Sequence, residues 1–270
     1  MEGKCVRVTP DLVQAYNDAT GVPAGVGVAP LLSVVAGYPL MFDAVAAVTP
    51  PELRDRTVHG DHEVTVIRPL RVGDLLRASA SVEAIRASKP GTSVVVRIDV
   101  TDEAGRPVAV HRAVAIVRGA HPAVESGPPL PVPEPEPTGW SRTAVVAIAA
   151  DQPARYAAAT GDHNAVHVDR DAALQAGFPD VIAHGLGVFG LALGVLVGAL
   201  ADHDLAAVRR ARVRFGPPVL PGQELTVQWS GTDRVAFRTI DAAGALVLRS
   251  GLLELRRGAS ADGRRLDLDE

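Results

Sequence analysis

The run ATGDHNAVHVD, residues 159–169, places Asp162, His163, Asn164, His167 and Asp169 in a chain otherwise rich in alanine and valine. A carboxylate beside an imidazole is a common way to hold a base near neutral pH. Asp162 and His167 are therefore the first candidates for proton transfer. Their spacing of five does not put them on one face of a regular helix, but a non-helical turn, which Gly161 permits, could bring them to one point. Asn164 could hold a carbonyl or a water through its amide. Asp169 is a good N-cap for a following helix expected to end near Gly177. An inert Asx turn is the alternative for the Asp-x-Asn stretch. His163 and His167 are four apart, like a metal pair, but no third ligand follows at a recognisable spacing, so no metal is expected. No Gly-x-Ser-x-Gly points to a serine hydrolase.

The elements that would position this cluster occur twice. AYNDATG (15–21) and RYAAATG (155–161) share their tyrosine and Ala-Thr-Gly. Each is followed by a long apolar stretch, VAPLLSVVAGYPLMFDAVAAV in the first half and residues 181–201 in the second. VTVIRPLRVGDLL (64–76) and VRFGPPVLPGQEL (213–225) come next, and both halves finish in strand-like runs turning at Asp102–Gly105 and Asp241–Gly244. The repeat predicts, in each half, a short helix, a long apolar helix and several antiparallel strands. An all-round apolar helix needs cover on most sides, and a curved sheet supplies it. The fold class is α+β, two related domains packed as a pseudo-dimer. The expected boundaries are 1–125, a proline-rich exposed linker at 126–139, 140–258, and a polar tail at 259–270.

At a net charge of −4 there is no electrostatic case for nucleic acid or an acidic membrane surface. The single cysteine, Cys5, excludes an intramolecular disulfide framework and a thiolate metal cluster. A free thiol in a reducing cytosol is expected, and MEGKCVRVTPD has no apolar signal core, so the expected location is cytoplasmic. Residues 181–201 are long enough to span a bilayer, and Gly190, Gly194 and Gly198 form small-xxx-small repeats. The stretch lacks close basic flanks, so a buried helix is expected, its glycines letting strands approach closely.

Residues 156–190, YAAATGDHNAVHVDRDAALQAGFPDVIAHGLGVFG, resemble the hydratase 2 motif of the MaoC-like (R)-specific enoyl-CoA hydratases and dehydratases. The matching positions are Tyr156, Thr160, Gly161, Asp162, Asn164, Val166 and His167, then Ala183, His184 and Gly185. Ala165 stands where the family usually has proline. The duplicated layout is similar to the family's double hot-dog members. The resemblance implies interconversion of a 2-enoyl and an (R)-3-hydroxyacyl thioester, carried by coenzyme A or an acyl-carrier protein, with no cofactor and with room for a homodimer. Asp162 and His167 would hold and activate one water, Asn164 would support them, and the N–H of Gly185 at a helix start would bind the thioester oxygen. Tyr156 and His184 would border the substrate, His184 as a neighbour rather than a second base. Arg212 and Arg214 are either a phosphate contact or a solvated edge. In the first half Val22, Ala24 and Gly27 take the places of Asp162, Asn164 and His167, and Pro30 that of Gly185. One site per chain follows, with Val22 and Gly27 expected to line room for an acyl tail. A dehydratase of polyketide-like or steroid-derived thioesters, a thioesterase and a non-catalytic acyl-thioester-binding subunit are the alternatives.

Overall fold

A computed structural model describes residues 5–130, 132–133 and 136–256; the polar tail expected at 259–270 lies outside them. The first half contains β1 (Val6–Arg7), α1 (Pro10–Ala19), a 3-10 helix at Pro30–Ala36, α2 (Tyr38–Val48), a second 3-10 helix at Pro51–Arg56, β2 (Thr57–Val66), β3 (Leu75–Ser88), β4 (Gly91–Thr101) and β5 (Pro107–Arg118). The second contains β6 (Arg142–Ala147), α3 (Gln152–Thr160), α4 (Ala165–Val168), α5 (Arg170–Gln175), α6 (Gly185–Ala201), a 3-10 helix at Leu205–Ala207, β7 (Val208–Phe215), β8 (Glu224–Ser230), β9 (Arg234–Asp241) and β10 (Leu246–Leu255).

The strands form one antiparallel sheet ordered β1-β3-β4-β5-β2-β7-β10-β9-β8-β6. Read outward from the centre the two halves have the same order, as the sequence repeat requires, and they join where β2 pairs with β7. That seam carries opposite charges in register: Asp61 faces Arg214 and Glu63 faces Arg212. Both long hairpins turn alike, with the side chains of Asp102 and Asp241 each accepting two backbone N–H groups and a glycine following three residues on. The chain is the expected α+β double hot-dog, with its two sheets fused edge to edge.

The two core helices are not alike. α6 runs unbroken for 17 residues and is buried on nearly every side, with Phe189, Leu196 and Val197 fully enclosed. It starts at Gly185 rather than at residue 181. Its glycine face meets no strand, contrary to expectation. Gly190 lies against Thr20, Gly194 against Val22 and Gly187 against Gln152 and Tyr156, so the small residues admit α1's exit loop and α3. The corresponding helix in the first half is broken into the 3-10 helix and α2, which bend 58° from one another. Two residues cause the break. A side chain at Gly37 would collide with Ile98 on β4, and Pro39 at the start of α2 has no N–H with which to continue the preceding helix. Among the described residues no single helix is long and apolar enough to cross a membrane.

Candidate active site

Helix α3 ends at Gly161, whose φ of 76° lies in the left-handed region that glycine adopts without strain. The chain then turns Asp162 inward, where it is only 5% exposed. Asp162 Oδ1 accepts the N–H of Asn164 at 3.2 Å, an Asx turn. The Asx turn weighed in the sequence is therefore present, and it leaves the second oxygen of the Asp162 carboxylate available for other partners. A single helical turn, α4, follows and carries His167 back over the carboxylate. Asp169 caps α5 by accepting from the N–H groups of Asp171 and Ala172. Ala165 occupies the first position of α4, a place that proline favours but does not monopolise, which explains why the departure from the family pattern leaves the turn intact.

The segment before α6 locks this loop. Ile182 N–H donates to the carbonyl of Val166 at 3.1 Å, and the Ile182 carbonyl lies 2.8 Å from His167 Nδ1. His184 Nε2 lies 3.0 Å from the Asp162 carbonyl and 3.6 Å from Asp162 Oδ2. The His167 and His184 rings stack with centroids 3.8 Å apart, and Tyr156 backs His184 at 4.8 Å. Burial lowers the pKa of His167, partly offset by the Ile182 carbonyl and the charge of Asp162, and lowers that of His184 to about 4. Both imidazoles are therefore neutral at pH 7. His184 is followed directly by Gly185, the first residue of α6, whose N–H belongs to the unpaired group at a helix start.

Side-chain atoms of Asp162, His167 and His184 lie within 4.8 Å of one another. The group joins Asp162 and His184 to His167 and does not contain His163, so the pair His163 and His167 considered in the sequence is not the one the fold gathers. The donor set fits a metal poorly: the two imidazoles pack against one another, their planes 30° apart, and His184 Nε2 and His167 Nδ1 already face backbone carbonyls.

Several expected substrate contacts lie elsewhere. Tyr156 and His184 are each 1% exposed and stand behind Asp162 and His167, closed to solvent. Arg212 and Arg214 are committed to Asp61, at 3.3 and 3.1 Å, on the seam between the halves. Their neighbours Ala211 and Val213 join the core, so strand alternation points the arginines to the opposite face. That outer face holds a cavity of about 420 Å³ lined by Trp140, Arg210, Arg212 and Arg234, away from the acid–base pair. Nor do Val22 and Gly27 line one pocket together. Val22 packs against α6, and the void between them measures only about 10 Å³. Gly27 is exposed, with nothing within 4 Å of the place a side chain would take.

Two contributions from the first half went unread in the sequence. Tyr38, at the start of α2, donates its hydroxyl proton to Asp162 Oδ2 across 124 residues of chain. His59 packs on Phe215 at 4.8 Å, and Phe215 in turn covers Gly185. A bulge at Gly60, where pairing with β5 shifts register, turns His59 onto the same face of β2 as His62. His59, His62, His111 and Ser33 then form a buried polar chain with links of 3.3, 3.0 and 2.8 Å. VHGDHEV holds four polar residues and a glycine within a strand, a signal for a bulge; nothing in GYPLMF marked Tyr38.

Fold and site together define a double hot-dog protein with Asp162 and His167 gathered beside the start of its core helix. Family models agree for both halves: the MaoC like domain matches residues 135–248 and the FAS1-like dehydratase domain region matches 24–111. The 3-hydroxyacyl-thioester dehydratase X of Mycobacterium tuberculosis is 30% identical over 213 residues, covering 79% of this chain and 73% of that protein. The peroxisomal multifunctional enzyme type 2 of Drosophila melanogaster is 30% identical over 191 residues, 68% of this chain but only 31% of the larger protein. A MaoC-like dehydratase structure from Phytophthora capsici superposes with a TM-score of 0.84 at 22% identity, with 95% of each chain covered. The chain belongs to the MaoC-like family of hydratases and dehydratases.

Proposed function

We propose that this protein is a hydro-lyase that interconverts a 2-enoyl thioester and an (R)-3-hydroxyacyl thioester, the acyl group being carried by coenzyme A or an acyl-carrier protein. The observation that carries the reading is the placement of Asp162 and His167 together beside the start of α6. In hydration, a water held between Asp162 and His167 gives a proton to His167 Nε2 as its oxygen bonds to C3 and the double-bond electrons move towards the thioester oxygen. The negative charge that develops on that oxygen is stabilised by the Gly185 N–H and the helix dipole, and it is discharged as the protonated His167 gives its proton to C2. Dehydration runs the same steps backwards. Every step uses groups of the chain itself, and both halves of the sheet come from one chain, so no second copy is needed to complete the site.

The test is the ultraviolet absorbance of enoyl-CoA thioesters of graded chain length, which should fall when the protein is added. Chiral analysis of the product should give the (R)-3-hydroxyacyl form. Release of free thiol without loss of the enoyl band would replace this reading with thioesterase chemistry. Binding without either change would leave an acyl-thioester-binding protein.

A further inference from the structure

The geometry points to Tyr38 as a positioning residue, supplied by the half whose counterparts of Asp162 and His167 are Val22 and Gly27, which fixes the Asp162 carboxylate as the water-orienting member of the pair and leaves His167 as the base. The inference rests on the hydratase reading and deepens it. Three features hold Tyr38 in place. Gly37 lies hard against Ile98, Pro39 sets the start of α2, and Phe42, one turn on, packs edge-on against the Tyr38 ring at 5.0 Å. From there the hydroxyl donates to Asp162 Oδ2, while Oδ1 accepts the N–H of Asn164. Each carboxylate oxygen thus has a donor of its own, one from each half of the chain. Burial and the neighbouring Asp162 charge push the Tyr38 phenol well above its ordinary value of 10, so it remains a donor throughout the working range. His167 is placed differently. Its Nδ1 faces the Ile182 carbonyl, which directs the Nε2 lone pair to the water. The two halves therefore contribute matching parts to one site, since the start of α6 brings the Gly185 N–H and the start of α2 brings the phenol.

The conservative variant is Tyr38→Phe. Loss of a hydrogen bond to a charged group should lower kcat about ten- to a hundredfold, with KM for a four-carbon enoyl thioester changing less than about twofold. The acid limb of the kcat/KM profile should move to higher pH, because a carboxylate stripped of a donor holds its proton more tightly. A merely structural role would leave that limb where it is. An unmoved limb with activity within about twofold of wild type overturns the inference. A second readout needs no turnover, and so separates failure of this inference from failure of the hydratase reading. Ultraviolet titration of the three tyrosines, compared with Tyr38→Phe to identify the Tyr38 signal, should show that phenol ionising at lower pH in Asp162→Asn than in wild type. Should Tyr38→Phe not fold, Phe42→Ala, which loosens the ring without removing the hydroxyl, should give a milder loss with the same shift of the acid limb. The absence of both the phenol shift and the limb shift would exclude the bond in solution.

Discussion

His167 Nδ1 sits 2.8 Å from the carbonyl of Ile182, and this contact decides which ring nitrogen does the chemistry. With the Nδ1 proton committed to a backbone carbonyl, the imidazole is fixed in one tautomer and orientation, and Nε2 carries the free lone pair.

Removal of either member of the pair should therefore stop proton transfer without unfolding the chain. Asp162→Asn and His167→Ala should each lower turnover at least about a hundredfold while the far-ultraviolet circular dichroism spectrum stays as in wild type. A folded variant that keeps most of its activity would remove that residue from the reaction.

The role of the Gly185 N–H can be separated from crowding by comparing two substitutions. A side-chain carbon at Gly185 would lie 3.1 Å from the Phe215 ring, a close contact that Gly185→Ala and Gly185→Pro both introduce, but only proline deletes the N–H. Proline is tolerated in the first turn of a helix, and His184, at ψ 130°, already has the extended backbone that precedes it. Gly185→Pro should be slower than Gly185→Ala by roughly two to three orders of magnitude. Equal rates would place the oxyanion contact elsewhere.

The buried histidines predict how stability responds to acid. Burial lowers the pKa of His59 to about 4 and of His111 to about 3, and holds His62 well below its ordinary 6.5. In the unfolded chain these imidazoles take up protons near pH 6.5; in the folded chain they resist until about 4 and below. Across that interval the unfolded state binds more protons, so stability falls as the pH drops from about 6.5 towards 4 and is recovered on raising it. Urea midpoints measured between pH 7 and pH 4 should decline accordingly. A flat profile over that range would mean that the chain from His59 to His111 is hydrated and charged.

Ala165 offers a stabilising change. It is exposed, begins α4, and follows Asn164 at ψ 125°, a backbone compatible with a following proline. Ala165→Pro should raise the unfolding free energy by about 0.4–1 kcal/mol with activity unchanged, as read by denaturant midpoint and initial rate. A loss of activity would show that the turn must flex during catalysis.

Much of this was legible in the sequence, for local physical reasons. The repeated Ala-Thr-Gly, the paired Asp-to-Gly hairpin turns and the polar loop after Gly161 are set by neighbours a few residues apart, so the two related α+β halves and the Asp162–His167 pair could be read from them, while the double hot-dog layout and the Gly185 helix start were implied by the family resemblance. Contacts between distant segments could not. Tyr38 reaches Asp162 only because Gly37 and Pro39 bend the first core helix, whose composition alone reads as one continuous apolar stretch. Arg212 and Arg214 alternate along β7 as a phosphate site would, yet pairing with β2 places Asp61 and Glu63 opposite them and uses their charge at the seam. Val22, small and apolar, suggested space for a hydrocarbon tail; the glycine face of α6 closes that space, because a helix without side chains there lets the exit loop of α1 pack directly onto its backbone. The sequence by itself determined the residue types of the chemistry and the strand pattern that carries them. Which half supplies the second donor to the carboxylate, and which arginines and small residues are consumed in packing, depended on how the two halves meet, a relation that local pattern does not encode.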